Sequence, residues 1–234
     1  MFTLKYETRY GDLKNFDMIK QSALLDMIQD VSIKASADAG YGIDVMRGLD
    51  KAWLLQGINL FINKPVKPYV AVEISTAVKS VRGVTSERGC YIKQGGEIVA
   101  KAVANWFLFD LINIKPARIP AQMMESYARA EFEDTFFTYK KAPLYDIDKA
   151  EYEIRISNKE IDTNLHLNNQ KGAELLMDAL PFDFEFNNVN VLYKRPAYLG
   201  DRLRVCVKEI EKGYYVHLQS AESEIYVAGI FEKI

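Results

Sequence analysis

The alternation of apolar and polar positions divides the chain into two runs that repeat one order of elements. Residues 2–10 alternate, with Phe2, Leu4 and Tyr6 set against Thr3, Lys5 and Glu7, which is the two-residue period of a half-buried strand. From 18 to 39 the period lengthens. Ile19, Ala23, Met27, Val31 and Ala35 recur every fourth residue, and Leu24 and Ile28 widen the stripe. That spacing predicts a long helix, capped by Asn15 or Asp17 and stopped by Gly40 and Gly42. Strand-like segments follow at 52–63, 69–82, 87–94 and 97–111, the last two joined by Gly95-Gly96, a two-residue hairpin signal. Between 116 and 148, Pro116, Pro120, Pro143 and many charges break both periods, which predicts a crossing linker with some local helix.

Beyond this linker the order recurs. Residues 151–157 read as a strand, 169–180 as a helix stopped by Pro181, and 188–195, 201–210, 214–221 and 224–231 as strands. A repeated supersecondary order signals internal duplication. Each half has one helix to cover the apolar face of an antiparallel sheet, and a sheet wrapped around that helix meets the need. The expected fold is therefore α+β, a double hotdog: one unit over 1–120, a linker over 121–148, and a second unit over 149–234.

Composition narrows the function classes. The chain of 234 residues is 49% hydrophobic and 26% charged, as a soluble globular protein is. A formal net charge of −2 without a long single-sign run argues against nucleic acid as a partner. No apolar stretch is long enough for a membrane span, and residues 1–10 are charged rather than signal-like, so a cytoplasmic location is expected. Cys90 and Cys206 lie far apart in strand-like runs and read as reduced core residues, not metal ligands. Of the two histidines, His217 shares a strand face with Tyr215 and Gln219 and reads as a half-exposed sheet residue.

His166 is the histidine that asks for chemistry. It lies in Asp162-Thr163-Asn164-Leu165-His166-Leu167-Asn168-Asn169. If that run is extended, Asp162, Asn164 and His166 project from one face. Asn168 or Asn169 caps the following helix, whose unpaired N–H groups and positive dipole end point back at the polar face. Base, orienting groups and oxyanion donors then lie within a few residues of one another, which suits chemistry that needs an activated water and a place for charge developing on an oxygen. His166 suits the first as a neutral base near pH 7, with Asp162 to hold its tautomer and Asn164 to orient water or acyl group. The backbone N–H groups of Asn168 and Asn169 suit the second. The structural alternative is that Asp162 and Asn164 form a turn and Asn168 merely caps.

Along nearly its full length the chain resembles the acyl-ACP thioesterase family, bacterial branch. In the first half the matching features are Met27-Ile28-Gln29-Asp30 through Ala39-Gly40-Tyr41-Gly42, Trp53-Leu54-Leu55, Lys64-Pro65, Gly96-Glu97, Ala104-Asn105-Trp106-Phe107-Leu108-Phe109-Asp110 and Arg118-Ile119-Pro120. In the second half Asp162-x-Asn164-x-His166-Leu167-Asn168-Asn169 is similar to the family's catalytic-loop signature. The resemblance implies a double hotdog, release of fatty acids from acyl carrier protein, and no metal or organic cofactor. It also implies an acidic carrier partner, for which Lys64, Lys67, Lys79, Arg82, Arg88, Lys115 and Arg118 are available cations. A homodimer is left open.

Two departures stand out. Pro196, in Tyr193-Lys194-Arg195-Pro196-Ala197-Tyr198, takes the place of the family's Glu, and no carboxylate lies between 188 and 200. Gly172 and Leu175 stand where an aromatic pair is common. These changes keep a non-catalytic acyl or carrier-protein binder in view, along with an acyl-CoA thioesterase. A hydroxyacyl dehydratase ranks last, because it needs an acid opposite its histidine. For the acyl chain, the expected wall is Leu24, Met27, Ile28 and Val31 beside Trp53, Leu55 and Phe61.

Overall fold

The computed structural model describes residues 1–127, 129–132, 135–147 and 149–234. The chain divides into two compact units, Met1–Tyr139 and Lys140–Ile234. The first contains β1 (Phe2–Tyr6), α1 (Gln21–Asp38), α2 (Ile43–Gly48), β2 (Lys51–Ile62), β3 (Val72–Arg82), β4 (Thr85–Gln94), β5 (Glu97–Asp110), the short β6 (Lys115–Pro116) and α3 (Ala121–Ser126). Its sheet runs β1-β3-β4-β5-β2, with β6 on β5, and every pairing is antiparallel. The second contains β7 (Tyr152–Arg155), α4 (Asn169–Met177), β8 (Asn188–Tyr193), β9 (Arg202–Ile210), β10 (Gly213–Gln219) and β11 (Ile225–Glu232). Its order is β8-β11-β10-β9-β7, also antiparallel.

Both sheets therefore take their strands in one permutation: first, third, fourth, fifth, second. Each unit is a hotdog, and the fold is the α+β double hotdog that the repeated element order predicts.

In the first unit α1 packs against β1 and β3. Its buried stripe is Leu24, Met27, Ile28, Val31 and Ala35, the four-residue recurrence read from the sequence. The helix begins at Gln21 rather than 18, because Asn15 caps an earlier turn: its Oδ1 accepts the N–H groups of Asp17 (2.9 Å) and Met18 (3.0 Å). Gly40 ends the helix at φ +85, and the Tyr41 N–H returns to Ser36 O at 2.8 Å, a C-terminal closure that only a residue tolerant of positive φ makes cheaply. Gly95 and Gly96, at φ +61 and +84, turn β4 into β5 as their pairing predicts.

The opposite face of this sheet is covered too. Phe132 and Phe137 join Ala77 and Val103 in one buried cluster, flanked by Tyr91 and Phe136. These aromatics come from the segment expected to link the units; within it, residues 128, 133, 134 and 148 lie outside the described residues. Phe61 also points to this face, where its ring meets Phe136 at 6.2 Å, so it does not wall a pocket beside α1.

In the second unit α4 packs on β10 and β11. Gly172 sits against Val227, and Leu176 reaches Gly229. The other face of β10 carries Tyr215 and His217. Tyr145 and Ile147 pack over Tyr215, Ala228 and Ile230, and His217 is 1% exposed, not half-exposed as its sequence position suggested. Its ring nitrogens meet Tyr215 Oη and Gln219 Oε1, each at 3.1 Å, and burial pushes its pKa down. Cys90 and Cys206 are free and buried; burial pushes the Cys90 thiol up to about 11, which leaves it inert at neutral pH.

Candidate active site

The run 162–166 is a turn and not a strand. Asp162 Oδ1 accepts the backbone N–H groups of Asn164 at 2.7 Å and His166 at 3.3 Å, and Asn164 Nδ2 donates to Asp162 Oδ2 at 3.4 Å. The Asp162 N–H donates to His166 O at 2.8 Å and the Leu165 N–H to Asp162 O at 3.1 Å. Leu165 adopts φ 64. An Asp at the start of such a sequence satisfies the chain locally and outcompetes an extended conformation. Asp162, Asn164 and His166 are therefore brought together by a loop that Asp162 closes, not by a shared strand face. The Asp162 carboxylate bonds the loop backbone and the Asn164 amide.

The loop presents His166 half-buried, its ring edge-on to Tyr198 with centroids 4.9 Å apart. The imidazole is neither sealed in packing nor fully in water. An isolated bridge between Ile161 and Leu167 pins the base of the loop, and the Leu167 N–H donates to Ala197 O at 2.7 Å. That bond lays residues 196–198 alongside the histidine. Pro196, in this neighbouring stretch, is exposed and offers neither a proton acceptor nor an N–H.

Two supports of the loop escaped the sequence reading. Tyr198 is the imidazole's aromatic neighbour. Glu160 is buried and closes a capping box, its carboxylate accepting the N–H (2.8 Å) and Oγ–H (2.6 Å) of Ser157. Burial acts to raise its pKa, but those bonds and Lys159 hold it below the usual value. Ser157-x-x-Glu160 is a legible capping-box pattern and was the available signal.

At the start of α4 the Asn168 side chain accepts the Lys171 N–H at 3.2 Å, as an N-cap does. The Asn168 N–H itself donates to Glu160 O at 2.8 Å. Asn169 occupies the first helical position, where the N–H has no partner within the helix. Its carbonyl accepts the Tyr193 hydroxyl at 3.0 Å, a bond that ties the helix start to β8.

In the first unit, Leu24, Met27, Ile28, Val31 and Leu55 are buried as expected of a wall or a core. Trp53 is half-buried, and its Nε1 donates to Tyr127 Oη at 3.0 Å. Arg88, counted among the surface cations from sequence, is only 6% exposed, and Lys79 is bonded to Phe137 O and Thr138. Among the described residues no cluster of His, Cys, Asp and Glu is arranged to hold a metal, and no helix is long and apolar enough to cross a membrane.

The sequence matches the profile of the acyl-ACP thioesterase N-terminal domain over residues 1–127 and that of the acyl-ACP thioesterase C-terminal domain over 143–229. No curated protein matches the chain. Among solved structures, an acyl-ACP thioesterase from Bacteroides thetaiotaomicron superposes with a TM-score of 0.89 at 17% identity, covering 98% of this chain and 96% of that one. The 12:0-ACP thioesterase from Umbellularia californica gives a TM-score of 0.84 at 14% identity, covering 99% and 96%. At such identities the structural likeness establishes the fold, while the two profile matches, which between them take in both units, establish that this chain belongs to the acyl-ACP thioesterase family.

Proposed function

We propose that the protein hydrolyses fatty acyl thioesters of acyl carrier protein, with His166 as the general base. The observation that carries this reading is the half-buried imidazole on a loop closed by Asp162, immediately before the N-terminus of α4. Neutral imidazole takes a proton from water as the water oxygen attacks the thioester carbonyl carbon. The carbonyl oxygen gains charge beside the Asn169 N–H and the positive end of α4. The C–S bond then breaks, the leaving thiolate takes the proton back from the imidazolium, and free acid and carrier thiol result. A positioned base is typically worth roughly 10²–10⁴-fold.

Asp162 acts as a positioning residue through its bonds to the loop N–H groups, and the exposed Asn164 side chain, its Nδ2 on Asp162 Oδ2, turns its amide oxygen to water or the acyl group. The second unit thus carries the catalytic loop. The first unit binds the acyl chain on the enclosed face that carries α1, a role supported by its buried apolar stripe. A carrier-bound substrate supports a cytoplasmic location. Pro196 supports slower turnover than a family member with Glu at this position, because His166 then works without a second acid. It also favours one competing reading, a binder that kept the fold and lost turnover.

One assay separates these possibilities. The purified chain is incubated with acyl-ACP and acyl-CoA of several lengths, and free thiol is followed. Thiol release from the carrier substrates, lost in a folded His166→Ala variant, supports the proposal. Tight binding without release identifies a binder, and preference for CoA identifies a different thioesterase.

A further inference from the structure

The first unit buries a cation in a place where an acyl-binding face has no evident use for one. Arg88 lies on β4 on the same face as Ser86 and Cys90, opposite Val78 on β3 and Ala104 on β5. It is 6% exposed, and burial lowers its hold on the proton. Its guanidinium sits 5.5 Å from the centre of the Tyr127 ring. Among the described residues no carboxylate pairs with it. Tyr127 is itself fixed: its hydroxyl bonds Ser36 Oγ at 2.6 Å and receives the Trp53 Nε1–H at 3.0 Å, and its ring stacks on Tyr41 at 5.9 Å.

A second donor points the same way. Trp106 pairs with Ser86 across β4 and β5, which puts it on Arg88's face and diagonal to it, within reach of a long side chain. Its Nε1 is buried and has no hydrogen-bond partner among the described residues. A buried donor left unmatched destabilises the fold, and a buried cation without a counter-charge does so more strongly. The aromatic face of Tyr127 offsets part of the Arg88 penalty but accepts none of its in-plane N–H groups. Among the described residues Arg88 and Trp106 thus form a donor set without an acceptor, on a face they share with Ser86 and beside Val78, Leu108, Trp53 and Tyr127.

We propose that Arg88 and Trp106 recognise an oxygen on the acyl chain, so that the preferred substrate carries a hydroxyl, keto or carboxylate group away from the thioester. This rests on the assignment of the acyl chain to the first unit's enclosed face. A purely hydrocarbon chain leaves both donors unmatched. An oxygenated chain satisfies them in a desolvated setting, where a site built to bond a polar group discriminates strongly against the analogue lacking it.

The test uses the whole protein and has two arms. In the first, thiol release is compared for acyl-ACP pairs of equal length, one plain and one ending in a hydroxyl or a carboxylate. The oxygenated member is expected to show a kcat/KM at least about tenfold higher, and Arg88→Met to abolish or invert that preference. Trp106→Phe, which removes the N–H and keeps a smaller aromatic ring, should narrow it, and this variant keeps the test alive if Arg88→Met does not fold. Equal use of both chains by the wild type, unchanged in Arg88→Met or Trp106→Phe, overturns the inference and leaves the thioesterase assignment standing.

The second arm needs no turnover. Trp53 and Trp106 are the only tryptophans and both lie on Arg88's face of the sheet, so their fluorescence reports binding directly. Monomethyl decanedioate should bind more tightly than methyl decanoate and perturb the emission, an effect lost in Arg88→Met or Trp106→Phe. Binding of the two esters with equal affinity overturns the inference even in a protein that hydrolyses nothing. Selective binding without hydrolysis of any acyl-ACP sustains it while removing the enzymatic reading.

Discussion

Replacing Asp162 by Asn and by Ala separates a loop-closing role from an electrostatic one. Its Oδ1 accepts two backbone N–H groups, those of Asn164 at 2.7 Å and His166 at 3.3 Å. A hydrogen bond to a charged acceptor contributes about 1.5–3 kcal/mol when sheltered, and exposure of the loop reduces this to about 1 kcal/mol each. Asp162→Ala therefore removes about 2 kcal/mol from the closed loop, which favours open conformers by roughly 30-fold, and kcat/KM should fall by up to that factor. Asp162→Asn keeps an oxygen in the same place and both bonds in neutral form, so the loss should stay within about fivefold. The assay is thiol release under kcat/KM conditions, with circular dichroism to verify folding. A drop of about 10³ or more in Asp162→Asn, of the kind seen when a carboxylate holds a catalytic imidazole, would refute the reasoning and return Asp162 to a direct role on the ring.

Other outcomes follow from the same structure. Pro196→Glu places an acid in the exposed stretch alongside His166 and should raise the hydrolysis rate; a lower rate would show that this segment has been rebuilt around another mechanism. His217 has a pKa lowered from 6.5 by burial, so the unfolded chain binds its proton more tightly. The stability it contributes is present above about pH 6.5 and lost as pH falls through the folded value, and denaturant midpoints between pH 8 and 5 should decline less steeply in His217→Gln than in the wild type. Phe137 is fully buried, with ring centroids 4.4 Å from Phe132 and 4.9 Å from Tyr91. Phe137→Ala should cost about 3–5 kcal/mol in a chemical denaturation curve, and a cost below 1 kcal/mol would mean that the segment after α3 is no part of the first unit's core.

Period and punctuation made most of the fold legible. The four-residue stripe of α1 and the Gly95-Gly96 turn follow from local sequence alone, and so does the recurrence of strand, helix and four strands. Features that depend on what covers a face did not show. His217 looked half-exposed because alternation marks a face but not the Tyr145 and Ile147 that lie over it. Arg88 looked like a surface cation because Ser86 and Glu87 just before it are polar, whereas its burial comes from strand pairing and Tyr127, far along the chain. At the loop the residue types were legible but their geometry was not: the spacing Asp162, Asn164, His166 fits a strand face and an Asp-closed turn equally well, and backbone N–H groups chose the turn. Asn168 likewise satisfies its cap role, but its N–H goes to Glu160, a contact no short-range pattern announces.

Thiol release from acyl-ACP by the His166→Ala variant, measured with and without added imidazole, bears on the catalytic assignment most directly. The account predicts a loss of roughly 10²–10⁴-fold in a folded protein, with partial recovery when imidazole is supplied. Full activity in the folded variant without imidazole would contradict it.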